Sequence, residues 1–322
     1  MKQVHATALV NQPIQERKSY REASFLTFVL KNRALYIMLL PGILFFLVFR
    51  YVPLIGSVIA FKDYNIFAGI WRSEWVGFQW FEHLFTYPQF SRLIKNTLLI
   101  SLYQIVFAFP APILIAVLMN ELKSVLYKRT IQTVLYLPHF LSWAIIYGLA
   151  YMMFSEQAGM LNQLVQAWGG EKLQILQSQE YFRTLIVGAG VWKEMGWSAI
   201  IFLAALAGIS PSLYEAAKID GANRWKQFLH ITLPGLLPAI SILLLLKIGN
   251  IMDVGFEQVY VFLTPLTIPV GDVLDTYSYR MGIISGQYSL TTAIGIFKSV
   301  IGFVLLVLAN KVSKSTTGEG LY

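Results

Sequence analysis

No cysteine occurs among the 322 residues, so the chain can hold neither a disulfide nor a thiolate metal site. Charge is sparse: Asp, Glu, Lys and Arg supply 13% of the residues, against about 25% in an ordinary soluble domain. Histidine is limited to His5, His83, His139 and His230. None has a ligand-type companion one helical turn on, and HExxH is missing, so no metal is expected. There is also no glycine-rich phosphate loop followed by Lys-Ser/Thr. The chain is therefore not expected to bind or hydrolyse ATP. No nucleophile motif stands out, which leaves little support for an enzyme. The apolar core of a secretory leader is lacking near Met1, and neither an internal repeat nor a low-complexity tract is evident.

What fills the chain instead is apolar residues, at 56% with a mean hydropathy of +0.59. An all-α integral membrane protein is the expected class. Runs of the roughly 20 residues needed to cross a bilayer fall at 34–60, 93–119, 131–154, 183–208, 236–256 and 288–310. That gives six transmembrane helices in one domain, 34–311. A polar N-terminal tail, 1–33, and a short mobile C-terminal tail, 312–322, flank it. Pro41 and Pro53 in the first run, and Pro110 and Pro112 in the second, predict kinks, which neighbouring helices can accommodate.

The net charge of +8 does not point to nucleic acid, because Lys and Arg flank the apolar runs. The two tails with adjoining Lys311, and the connectors at 120–130 and 210–235, carry fourteen basic residues. The connectors at 62–90, 155–182 and 257–287 carry four: Lys62, Arg72, Lys172 and Arg280. The positive-inside rule puts both termini and 210–235 in the cytoplasm. On the opposite side, 62–90 is aromatic (Trp71, Trp75, Phe78, Trp80, Phe81, Phe85), and 257–287 holds Pro265, Pro269, Asp272 and Asp275. Such aromatics form an interfacial belt, a surface for stacking on sugars, or a docking face.

Between the fourth and fifth runs lies a polar island, Glu215 to Pro234 (EAAKIDGANRWKQFLHITLP). Ser210-Pro211-Ser212 opens it, with proline at a favoured first-turn position. Ser212 and Glu215 have capping-box spacing. Gly221 supplies a left-handed helix stop. A second short helix is expected from Asn223, carrying Trp225, Phe228 and Leu229 and ending at Pro234. The residues alone allow either a helical connector or a helix-turn-helix knob presented to a partner, with small Ala216 and Ala217 permitting close approach.

Glu215-Ala216-Ala217, three residues, Gly221, nine residues, then Ile231-Thr232-Leu233-Pro234 resembles the EAA signature of binding-protein-dependent ABC importer permeases, spacing included. Residues 36–85, with MLLPGILFFLVFRYVPLIGSVIAFKDYN and WVGFQWFEHLF, are similar to the carbohydrate branch, in particular to members handling oligo- and polysaccharides such as alginate. The resemblance implies the type I importer permease fold in a bacterial cytoplasmic membrane, with 210–235 as a coupling helix docked on an ATPase. It also implies a second permease subunit, expected to be a different chain, two cytoplasmic ATPase subunits holding ATP and Mg²⁺, and an extracytoplasmic solute-binding protein. Glu215, Ala216, Ala217, Gly221, Ile231, Leu233 and Pro234 are the coupling residues it points to.

Polar groups inside the spans are the candidates for a sugar path, because an ionisable group at mid-bilayer costs about 2.5–3.5 kcal/mol unless it faces the bundle or water. Lys247, Asn250 and Asp253 follow one another at helical spacing and predict one slanting stripe on the fifth span. Trp192, Lys193, Glu194 and Trp197 mark the fourth span, and Lys95, Asn96 and Gln104 the second. Each has a plainer reading as interhelical glue. The rival function is an ion-coupled carrier using Glu194 and Asp253, which calls for inverted repeats that the sequence does not display. A third is a structural subunit of a membrane complex.

Overall fold

The structure is a computed structural model describing residues 31–318, 320 and 321; most of the expected N-terminal tail lies outside the described residues. The chain divides into two compact units after Gly56. In the first unit, helix Arg33–Phe46 leads through a wide π turn, Leu47–Tyr51, into Val52–Gly56. Its side chains are exposed all round, and an apolar helix with no polar face is a membrane span.

The second unit holds the remaining spans: Phe90–Asn120, Gln179–Ala207, Arg224–Gly249 and Tyr288–Ser315, with a broken pair, Val125–Phe140 and Trp143–Phe154, bent by 104°. Among the described residues, five helices are long and apolar enough to cross a bilayer, or six if the bent pair counts as one. The third run is thus not the straight helix expected over 131–154. Pro138 tightens the chain into a 3-10 turn, Leu137–Phe140. Ser142 then restarts a helix by accepting from the Ile145 amide.

The prolines act on the helices in a specific way. Of four wide turns among the described residues, three, Leu47–Tyr51, Gln104–Ala108 and Phe228–Thr232, are followed two residues on by a proline (Pro53, Pro110 and Pro234), and the fourth, Arg280–Ile284, is not. Proline lacks an N–H and its ring crowds the carbonyl four residues back. A turn widened to i→i−5 makes room, as in the bond from the Phe109 amide to the Gln104 carbonyl. Pro234 therefore does not end a helix, as the sequence suggested. The chain passes through the wide turn into Leu233–Gly249.

The fourth span is the axis of the packing. Phe182, Ile186 and Val187 join Ile100, Ile146 and Phe262 in one buried cluster, and Ala199, Phe202 and Leu206 join Ala116 and Leu236 in another. A third cluster ties Leu84 and Leu93 to Leu274, Leu290 and Ile294. Small residues set the closest approaches. A Cβ on Gly196 would stand 2.1 Å from the Leu135 carbonyl oxygen, and one on Gly302 2.4 Å from that of Gly249. Close backbone contact of this kind is how helices associate where lipid removes the hydrophobic drive.

Outside the spans, Lys62–Asp63 pairs antiparallel with Glu74–Trp75, and Trp80 donates its indole N–H to the Lys62 carbonyl at 2.9 Å. Trp71 remains 84% exposed. Buried Asp272 receives both guanidinium nitrogens of Arg280, at 2.8 and 2.6 Å. That hydrogen bonding holds the guanidinium pKa above its already high ordinary value. The last helix runs to Thr317, beyond its expected end at 310. The Leu321 amide returns to the Asn310 side chain at 2.8 Å.

Candidate functional site

The polar island folds as two helical pieces joined by a tight reversal. Pro211–Ile219 is helical with Ser210 at its N-cap. Because Pro211 takes the first helical position, Ser212 lies inside the helix and Leu213, not Glu215, is the third residue. The expected Ser212–Glu215 capping box therefore does not form; the Ser212 hydroxyl meets that of Ser210 at 2.8 Å. The C-terminal stop forms at Gly221, which has φ +74°. The Ala222 amide donates to the Ala217 carbonyl at 2.8 Å and the Gly221 amide to that of Lys218 at 3.1 Å, the paired bonds of a Schellman motif. Asn223 then caps the next piece by accepting from the Lys226 amide at 2.9 Å.

No residue of Pro211–Ile219 is buried. Glu215 and Ala216 are exposed, Ala217 is half-buried, and Ile219 is 87% exposed. The knob is tethered through Tyr214, whose hydroxyl meets Thr232 at 3.0 Å, and through Arg224, 3.3 Å from Glu121. Beneath it lies an open cleft of about 610 Å³ lined by Ile209, Leu213, His230, Ile231 and Pro234 among others. Leu233 opens the following helix. Exposed Leu213, Ile219 and Trp225 give this charged segment an apolar surface suited to a protein partner.

A second site is a polar cavity of about 660 Å³ between the spans, lined by Gln104, Trp143, Glu194, Lys247, Asn250, Asp253 and Gln258 together with apolar neighbours. Lys247, Asn250 and Asp253 meet here, though not as a helical stripe. The helix ends at Gly249 with Asn250 as its C-cap, and the Asp253 amide bonds back to the Asn250 carbonyl at 2.9 Å in the turn beyond. Helical spacing joins Lys247 to Asn250, whose amide still bonds to the Leu246 carbonyl, and the turn beyond adds Asp253. Lys247 donates to the Gln104 side-chain carbonyl at 3.0 Å, and the Gln104 amide donates to the Val254 carbonyl at 2.9 Å. Lys298 engages both Asp253 and Asp275.

Of the fourth-span candidates, Glu194 lines this cavity, whereas Trp192, Lys193 and Trp197 go elsewhere. Trp192 borders a separate apolar groove with Ile146, Met153 and Tyr181. Lys193 is buried and donates to the carbonyls of His139 and Leu141, satisfying backbone freed at the break in the third span. Trp197 stacks on His139 with centroids 4.6 Å apart. Glu194, between them in sequence, faces the cavity and takes the His139 Nδ1 at 2.8 Å. Trp143 and Gln258 are lining residues that sequence reasoning missed. Trp143 directly follows Ser142 after Pro138, a proline-then-cap pattern that marks a helix restart. Gln258 offered no local signal.

Binding-protein-dependent transport system inner membrane component is the family description that matches residues 108–318. Two proteins of Bacillus subtilis (strain 168) are each 45% identical to the chain. Protein LplB matches over 93% of this chain and 94% of its own length. The polygalacturonan/rhamnogalacturonan transport system permease protein YteP matches over 95% of both. Among solved structures, a bacterial alginate ABC transporter, crystallised with an alginate pentasaccharide-bound periplasmic protein, has a chain 39% identical with a TM-score of 0.85. The match covers 93% of this chain and 100% of that one. Nothing in these matches supports the ion-coupled carrier. The chain belongs to the binding-protein-dependent transport system inner membrane components, the membrane-spanning permeases of ABC importers.

Proposed function

We propose that the chain forms, with a second and different permease subunit, the translocation path of an ATP-driven importer of an oligo- or polysaccharide in a bacterial cytoplasmic membrane. Both termini and residues 210–235 face the cytoplasm, where two ATPase subunits hold ATP and Mg²⁺. A solute-binding protein delivers sugar on the other side. The observation that carries this reading is the exposed helix Pro211–Ile219, closed at Gly221, bearing Glu215-Ala216-Ala217 with no residue buried in its own chain. Glu215 offers charge to a partner, Ala216 and Ala217 admit close contact, and Ile231, Leu233 and Pro234 join the knob to the fifth span. ATP-driven closure of the ATPases pulls the knob and shifts the bundle between inward- and outward-open states, each favoured by different contacts.

The test is the assembled transporter in liposomes, with binding protein and candidate glycans, read by sugar uptake and by stimulation of ATP hydrolysis. Ala217→Trp is expected to abolish both while subunit assembly and thermal stability stay near wild type. Uptake and stimulation that survive this substitution rule out the coupling role of the knob.

A further inference from the structure

Three ionisable side chains line the polar cavity: Glu194, Lys247 and Asp253. Glu194 meets His139 at 2.8 Å and Lys193 at 3.7 Å. Asp253 is held by Lys298. Lys247 alone of the three has no oppositely charged partner within ion-pair distance among the described residues. Its ammonium donates a hydrogen bond to the neutral Gln104 side-chain carbonyl at 3.0 Å, and Gln104 is fixed in that orientation by donating its own amide N–H to the Val254 carbonyl. An ammonium has three donors, so Gln104 aims the group and leaves it capacity for further acceptors. Around it stand Asn250 and Gln258, amides able to bond hydroxyls, and Trp143, a face for a sugar ring.

Lys247 stands in the last turn of helix Leu233–Gly249, partly buried against the cavity, and a cation held between spans without a counter-charge is costly and marks the route of an ion or substrate. We propose that Lys247, positioned by Gln104, is the carboxylate-recognising residue of this cavity, and that the carbohydrate crossing it is acidic, a uronate-bearing oligosaccharide. The inference rests on the carbohydrate-import reading and deepens it. A carboxylate supplies the missing charge in a charge-assisted hydrogen bond, which is roughly twice as strong as a neutral one. A neutral hexose hydroxyl would leave the charge uncompensated.

The experiment uses the complete transporter in nanodiscs without binding protein, so that selection by the delivery protein does not enter. The probes are trigalacturonate and the same trisaccharide with its carboxylates reduced to hydroxymethyl groups, with binding followed by calorimetry. Wild type is expected to favour the acid. Lys247→Gln should weaken acid binding about tenfold, which is about 1.4 kcal/mol, and change binding of the reduced sugar less than about twofold. Lys247→Arg should recover most of the loss, because the charge is kept.

Equal losses for both sugars would show a packing role and overturn the proposal. So would unchanged acid affinity in Lys247→Gln, the outcome expected if the counter-charge comes from the partner permease. A wild type that binds the acid no better than the reduced sugar, or binds neither, overturns it as well. ATP-driven uptake of neutral oligosaccharides alone defeats this inference and leaves the import reading standing. Absence of any ATP-driven sugar uptake defeats the import reading itself.

Discussion

Gly221 shows what one backbone angle can fix. At φ +74° a side chain costs about 1–2 kcal/mol, although no neighbour stands within 4 Å of an added Cβ. The constraint is conformational, not steric crowding. Gly221→Val is therefore expected to blunt glycan-stimulated ATPase activity, whereas Gly221→Asn, a residue that tolerates this region, should retain most of it; equal activity in the two variants would remove the angle from the argument. The sequence announced this glycine because glycine after a helical stretch has few other uses. It misled over Ser212 and Glu215, because proline at the first helical position moved the N-cap to Ser210. Asp272 offers a second test. It is 2% exposed and doubly bonded to Arg280. Asp272→Ala strands Arg280, whose side chain is 31% exposed, so the loss should fall below the about 3–5 kcal/mol of a fully buried pair and still lower the thermal midpoint of the purified subunit.

Among the helices, the break in the third span is the feature that hydropathy could not show, since apolar character continues across it. The His139 and Leu141 carbonyls are released there, and Lys193 from the fourth span binds both. A lysine that looked like a path residue is a repair to a neighbour's backbone. Lys193→Met is expected to destabilise the subunit by about 1–3 kcal/mol for each carbonyl left unpaired. The loss should be seen in thermal melts whether or not glycan is present; a melt indistinguishable from wild type would contradict the repair. The polar residues after Lys247 teach the converse. Their spacing suggested a helical stripe, the helix stops at Gly249, and the turn beyond adds Asp253 all the same. Composition marked three residues that meet in one cavity, while helical periodicity carries only as far as Asn250.

Over the described residues, apolar run lengths sufficed to place five helices and the stretch that holds the broken sixth, though not its break. The spans are read from length and composition, which are local properties. The cavity is not local: Gln104, Trp143, Glu194, Lys247 and Gln258 come from five separate stretches. No spacing in one sequence reveals that they meet. The lack of cysteine makes the orientation easy to test. Lys218→Cys should react with a membrane-impermeant maleimide only in inside-out vesicles, and Trp71→Cys only in right-side-out cells. Labelling of Lys218→Cys from outside would reverse the topology.

The proline-guarded wide turns bear on how force travels. The knob joins the fifth helix through Phe228–Thr232, and Pro234 denies that segment the amide it would need to wind back into ordinary register. On the proposed coupling role of the knob, a tug on Glu215 would flex this joint sideways and not shorten it by zipping. The stroke delivered to the cavity end is then a tilt of stiff rods, its reach set by where the prolines fall.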